Sequence, residues 1–249
     1  MTPAQVSPYS KKKVYWLYPF DDPETGRHFD FVWEMPVNQM VSNTHDCPYL
    51  LSDLVWPGFN DLESRMPALA SEWHPYKNDE LMPHDVTVAS GKKVWWLQHF
   101  IDPETGKSFY FEWQARISDR SIKGAGNPFS AGKDVWPGYN DLATRSPVQA
   151  AKFNATKNGT TPDRIVAESH IEYWWIYPYD DPRTGRHFDF EWKASPHHMI
   201  RGNVTCPYLA GRMVQPGFND LATFYPQALD EWDFQKNKTL LSLTPETVS

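Results

Sequence analysis

The heptapeptide Trp56-Pro57-Gly58-Phe59-Asn60-Asp61-Leu62 returns as Trp136-Pro137-Gly138-Tyr139-Asn140-Asp141-Leu142, and again as Gln215-Pro216-Gly217-Phe218-Asn219-Asp220-Leu221. Nearly constant spacing makes the chain one unit written three times, and any fold must explain one unit and then its repetition. The expected division is a flexible tail over 1–13 and copies over 14–93, 94–172 and 173–249. Repetition of this kind favours a scaffold over an enzyme, whose catalytic groups occur once.

Each copy opens with an aromatic run: Val14-Tyr15-Trp16-Leu17, Val94-Trp95-Trp96-Leu97 or Tyr173-Trp174-Trp175-Ile176. A second run follows in each, Phe29 to Trp33, Phe109 to Trp113 and Phe188 to Trp192, with aromatics at every other position. In a pleated strand that alternation places the rings on one face. Between the runs lie Asp22-Pro23-Glu24-Thr25-Gly26 and its counterparts from Asp102 and Asp181. There Asp can cap its own backbone, Pro fixes φ and Gly tolerates a positive φ. Each copy is therefore expected to begin with a β-hairpin bearing one aromatic face.

Further on come Cys47-Pro48-Tyr49-Leu50, Asn127-Pro128-Phe129-Ser130 and Cys206-Pro207-Tyr208-Leu209, and then the repeated heptapeptide. Asn60, Asn140 and Asn219 are expected as helix N-caps, with Glu63 completing a capping box in the first copy. Pro67, Pro147 and Pro226 fit the first residue of a second short helix. Lys77-Asn78, Lys157-Asn158 and Lys236-Asn237 mark the exit from each copy.

This order resembles the bacterial probable zinc-ribbon repeat family, treble-clef-like modules found in tandem and sometimes beside endonuclease domains. It runs Trp-Trp, hairpin, Cys-Pro-Tyr, Pro-Gly-Phe-Asn-Asp-Leu, then Glu72-Trp73-His74-Pro75, Lys77-Asn78 and Gly91-Lys92-Lys93-Val94-Trp95-Trp96. The resemblance implies an α+β fold of three treble-clef-like units, each an aromatic hairpin followed by short helices. It also implies four zinc ligands per unit: a Cys after the Trp pair, a His two residues before the strand Trp, and both Cys of Cys-Pro-x-Cys. Those positions hold Tyr18, Phe31, Cys47 and Leu50 in the first copy, Gln98, Phe111, Asn127 and Ser130 in the second, and Tyr177, Phe190, Cys206 and Leu209 in the third. A structural zinc needs four nitrogen or sulfur ligands, so the copies are expected to be degenerate and metal-free. Twelve Trp, twelve Tyr and fourteen Phe are available to replace, by burial, the roughly 10 kcal/mol or more that zinc contributes to such modules.

Charge bears on partners. The net charge is −7, a poor basis for non-specific binding to phosphate backbones. Residues 14–93 carry five Lys and Arg against thirteen Asp and Glu, 94–172 nine against nine, and 173–249 seven against nine. Arg116, Arg120, Lys123 and Lys133 gather in the loop region of the second copy, and Arg201 and Arg212 fall in the matching part of the third. They are the candidate nucleic-acid contacts, a solvated loop being the bland alternative. Asp21, Asp22, Glu24 and Asp30 on the first hairpin are the candidate contacts for a basic partner.

Nothing catalytic stands out. His28 and His187 give way to Ser108 in the second copy, His197-His198 lacks evident co-ligands, and the Asp21-Asp22 and Asp180-Asp181 pairs read as turn caps. No Gly-rich phosphate loop, nucleophile elbow or zinc-deaminase signature is found. With two Cys and no secretory or membrane-length apolar run, a reducing, cytoplasmic setting is expected. The strings at Asn154, Asn158, Asn203 and Asn237 are expected to be chance glycosylation matches. The sequence thus points to a non-enzymatic repeat recognition module acting in nucleic-acid transactions, without cofactor, membrane contact or small-molecule substrate. Its partner is expected to be nucleic acid or a nucleic-acid-binding protein, the alternative being an acidic interaction scaffold or nucleic-acid mimic that inhibits such a partner.

Overall fold

The computed structural model describes residues 2–42, 47–202 and 205–238, so Met1 and Asn203 lie outside the described residues. The fold is mixed α+β: three two-stranded antiparallel sheets and short helices among the described residues. The chain divides into two compact units, Met1–Asn127 and Pro128–Ser249. Hairpins 1 and 2 belong to the first unit and hairpin 3 to the second.

In the first unit β1 (Lys13–Asp21) pairs with β2 (His28–Pro36), and β3 (Lys93–Ile101) with β4 (Ser108–Arg116). In the second, β5 (Tyr173–Asp180) pairs with β6 (His187–Ala194). The alternation in the sequence is the alternation of burial: Phe29, Phe31 and Trp33 are buried, whereas Asp30, Val32 and Glu34 are exposed. Trp16 faces Trp33, Trp96 faces Trp113 and Trp175 faces Trp192. Each of the first-named indoles donates Nε1–H to a carbonyl of the opposite strand, Met35, Ala115 or Ala194, at 2.9–3.1 Å. Trp96 and Trp175 are thus wholly buried, and Trp16 half-buried, each with its one donor satisfied.

The turns close as their residues require. Asp22 accepts from the Glu24 N–H and the Thr25 hydroxyl, and Gly26 adopts φ +70° to return an N–H to the Asp22 carbonyl. That left-handed φ costs glycine little. Asp102 and Asp181 play the same part in their turns.

The repeated heptapeptide folds differently from the expected cap. The N-caps are Asp61, Asp141 and Asp220, which accept from the N–H three residues on at 2.8–2.9 Å and open the helices Leu62–Arg65, Leu142–Arg145 and Leu221–Phe224. Asn60 stitches the preceding loop instead. Its carboxamide accepts from the Trp56 N–H at 2.7 Å and donates to the Tyr49 and Leu54 carbonyls at 2.7 and 2.8 Å. Asn140 and Asn219 repeat this pattern. A carboxylate only accepts and suits a helix start, whereas an amide does both and suits a loop needing a donor and an acceptor. Glu63 forms no capping box and approaches His84 instead, at 3.2 Å. Pro67 and Pro147 do begin second helices, Pro67–Ala70 and Pro147–Ala150, and Pro226 begins a 3-10 segment, Pro226–Glu231.

The helical segment of one copy packs on the hairpin of the next. In the first unit the His74 N–H donates to the Trp95 carbonyl at 3.1 Å and the Leu97 N–H to the Glu72 carbonyl at 2.7 Å. The Asn78 carboxamide brackets Trp95, donating to its carbonyl at 2.9 Å and accepting from its N–H at 2.7 Å. The second unit repeats the joint through Asn154 with Trp174, Ile176 with Lys152, and Asn158 on both polar groups of Trp174. Residues assigned by sequence to the way out of a copy are therefore the clamp on its successor.

Candidate functional site

The positions that the zinc-ribbon resemblance assigns to metal ligands converge, but on carbon. Phe31 is wholly buried, its ring 4.9–5.6 Å from those of Phe29, Tyr49, Trp56 and Phe59. Cys47 is buried in the same cluster and Leu50 packs against it, while Tyr18, paired in register with Phe31, is largely exposed. Phe190 is the equivalent centre in the second unit, stacked on Tyr208 at 4.9 Å and Phe188 at 5.6 Å, with buried Cys206 and half-buried Tyr177 in the cluster. Leu209 is exposed. In the first unit's other hairpin, Phe111 is wholly buried beside Phe109, and the Asn127 carboxamide donates to the side-chain amide oxygen of Gln98 at 2.8 Å. Ser130 is exposed and belongs to the second unit.

These sets do not fit zinc. None offers more than one sulfur, and a phenylalanine stands at each centre where a nitrogen ligand would be needed. Among the described residues no group of three or more His, Cys, Asp or Glu is placed to hold a metal ion. Burial pushes the Cys206 thiol up, which disfavours the thiolate needed for metal binding or nucleophilic chemistry.

The candidate cations separate. Arg120 is buried on the helix Ile117–Ser121, not displayed on a loop. Its guanidinium lies 4.4 Å from the Trp96 ring centre and 4.9 Å from that of Trp113, and donates to Glu72 at 2.6 Å. The cation is spent inside the joint between helical segment and hairpin, because a guanidinium can stack on aromatic faces and pair with a carboxylate at once. Lys123 is exposed and paired with Asp119 at 2.8 Å, and Arg201 with Glu168 at 3.0 Å. Arg116, at the start of the helix Ile117–Ser121, is exposed, as are Lys133 and Arg212 in the second unit.

The candidate acids also separate. Asp22 is buried as the turn cap. Asp21 and Asp30 are exposed and flank His28 at 2.6 and 3.4 Å, and Glu24 is exposed in an ion pair with Arg65. Hydrogen bonding to Asp21 raises the His28 pKa, and the pair Asp180 and Asp189 does the same for His187. The histidines thus serve as partial neutralisers of hairpin tips. In hairpin 2 His99 has moved to the opposite strand and meets Ser108 at 2.6 Å.

Sequence reading missed His74 and Arg183. His74 is buried, accepts at Nδ1 from the Lys77 N–H and approaches Glu112 at 3.2 Å through Nε2. Hydrogen bonds from Lys77 and His74 lower the Glu112 pKa. Arg183 chelates Asp181, holding that carboxyl at about 2, and covers the Phe224 ring at 4.4 Å. It lines an open cleft of about 560 Å³ with Tyr179, Phe218, Phe224 and Tyr225. Only its exchange for Glu24 and Glu104 in the otherwise repeated turn sets Arg183 apart in the sequence.

Among the described residues no helix is long and apolar enough to cross a membrane. A comparison with curated proteins finds no match. Residues 69–129 match the family described as a probable treble clef zinc finger domain. That stretch begins in the helix Pro67–Ala70, takes in β3 and β4 and ends at Phe129, so the part of the chain similar to that family runs from the helical segment of one copy through the hairpin of the next.

Proposed function

We propose that the protein is a non-catalytic recognition module in nucleic-acid transactions, and that it holds a basic, nucleic-acid-binding protein on the acidic tip of hairpin 1. A treble-clef-like domain points to binding of nucleic acid or protein at most. The observation that carries the protein reading is the exposure of Asp21, Glu24 and Asp30 together at that tip, with side chains more than 60 % accessible. It supports a surface that steers cationic partners into contact. Of the six candidate phosphate contacts Arg120 is withdrawn into the protein against Glu72, while Lys123 and Arg201 are exposed and ion-paired, as Glu24 is with Arg65. The non-catalytic reading is supported by His28, His74 and His187, which sit against carboxylates at exposed tips or within the joint.

The test is a nuclease-treated pull-down from the source cell with wild type and an Asp21→Lys, Glu24→Lys, Asp30→Lys variant. A basic protein captured by wild type and lost with the variant supports the reading. Naked DNA or RNA retained by wild type, with strong salt dependence and loss on Arg116→Glu, Lys133→Glu, Arg212→Glu, overturns it in favour of direct nucleic-acid binding.

A further inference from the structure

The joint between helical segment and following hairpin is built twice, once inside each compact unit, with the same groups each time. A carbonyl (Glu72, Lys152) accepts from a strand N–H (Leu97, Ile176); two residues on, an N–H (His74, Asn154) donates to a strand carbonyl (Trp95, Trp174); and an Asn carboxamide (Asn78, Asn158) brackets that strand residue. The side chains follow suit. Trp73 and Phe153 are buried in the joint, and Lys77 and Lys157 lie over the rings of Trp95 and Trp174 at 4.7 and 3.9 Å.

Each half of this joint occurs once more without its complement among the described residues. At one end, β1 offers the outward N–H and carbonyl of Tyr15 and the outward N–H of Leu17, in the register positions of Trp95 and Leu97. Tyr15 is 77 % and Leu17 64 % exposed, where Trp95, Leu97, Trp174 and Ile176 are all half-buried. At the other end stand the Glu231 carbonyl, the Asp233 N–H and the Asn237 carboxamide, in the sequence positions of Glu72, His74 and Asn78. Asp233 even repeats the local cap of Asn154, accepting from the N–H three residues on at 2.9 Å and so opening the helix Phe234–Lys236. Around it Phe234 is 58 % exposed, and Trp232 is half-buried where its counterpart Trp73 is buried.

We infer that the free edge of β1 and the segment 231–237 are two halves of one interface, made head to tail between two copies of this chain. The occupant is a second copy because the edge of a hairpin in this fold takes one kind of segment, and that segment is carried unpaired by the same chain. Backbone groups at an open strand edge already favour addition of chain. Here the donors and acceptors on the two sides match in order and number, and Lys236 is placed to cover the Tyr15 ring as Lys77 covers Trp95. The contact joins two different surfaces, so it is heterologous, and copies add until the array closes or runs on.

The experiment is sedimentation velocity on the full chain over a wide concentration range. Wild type is expected to associate as concentration rises. Tyr15→Lys with Leu17→Lys blocks the head, and Phe234→Lys with Asn237→Leu blocks the tail; each alone is expected to weaken self-association about tenfold or more. An equimolar mixture of the two is expected to form a 1:1 dimer and nothing larger, because one intact head and one intact tail remain. All four positions are exposed or half-buried, and circular dichroism checks that the variants fold. A wild type that stays monomeric at every concentration, a mixture that does not pair, or a singly blocked variant that still associates as wild type overturns the inference.

Discussion

Hairpins 1 and 2 share their register residue for residue, yet they finish the same pocket with different chemistry. In hairpin 1 the positions around Phe31 are a buried thiol and an aliphatic side chain, Cys47 and Leu50, within a cluster of aromatic rings. In hairpin 2 Phe111 keeps the centre, but Gln98 and Asn127 meet through an amide hydrogen bond. The phenylalanine is the common requirement, since it fills the volume and leaves no polar group to satisfy. The flanking positions tolerate either apolar contact or a matched donor and acceptor. An amide pair is acceptable in such a place only because each partner answers the other.

That contrast can be broken most severely at its shared element. Phe31→Ala and Phe111→Ala are each expected to cost about 3–5 kcal/mol in urea unfolding, as cavity-forming losses of buried aromatics do. A loss below about 1 kcal/mol at either site means that the ring does not hold its hairpin closed. Next comes Arg120, which hairpin 2 buries and whose counterpart in hairpin 1 is Met40. Glu72→Ala strands that guanidinium and is expected to cost about 3 kcal/mol, whereas Arg120→Met keeps the contact with Trp96 and Trp113 and costs less. Equal losses in thermal unfolding would contradict the assignment of Glu72 as the compensating charge.

Smaller effects sharpen the contrast between flanking positions. Asn127→Ala leaves the Gln98 amide short of a donor and is expected to cost about 1–2 kcal/mol, whereas Tyr18→Ala, at an exposed position, is expected to cost under about 0.5 kcal/mol. Denaturation midpoints read both. At the tips the difference is one of pH. The folded-state pKa of His28 lies above its ordinary value of 6.5, through Asp21 and then Asp30. Its stabilising contribution is therefore complete below pH 6.5 and fades as pH rises through the raised value. Proton NMR should show His28 and His187 titrating above 6.5, with Asp21→Asn lowering His28 alone. The smallest expected effect belongs to metal removal. With Phe31, Phe111 and Phe190 at the pocket centres, a chelator is expected to leave the melting temperature unchanged, and elemental analysis finding a tightly bound zinc per copy would refute that.

Much was legible before any coordinates. Alternating aromatics in Phe29–Trp33 announce a strand with one buried face because the pleat has a period of two. Asp22, Pro23 and Gly26 announce their turn because each answers a local backbone demand. The exchange of Asn60 for Asp61 as helix cap shows where local reading ends. Both residues can cap, and the choice was made by Trp56, Tyr49 and Leu54, whose backbone groups need a side chain that both donates and accepts. Arg120 shows the same boundary for the candidate site. Near Gly124 and Gly126 it reads as a loop cation, and only the approach of Glu72, Trp96 and Trp113 from distant parts of the chain makes it an interior residue.

By itself the sequence determined the repeat, the hairpins, their turns and the absence of zinc-ligand chemistry at the positions its family resemblance points to, all of which follow from short-range periodicity and residue type. Tertiary structure alone decided that the helical segments of the first and second copies serve the hairpins that follow them, which of the described cations and acids remain in solvent, and, among the described residues, which strand edge and segment stand unpaired. Those depend on backbone groups and charges that meet from distant parts of the chain, as Asn78 meets Trp95 and Arg120 meets Glu72, and residue spacing does not encode such encounters.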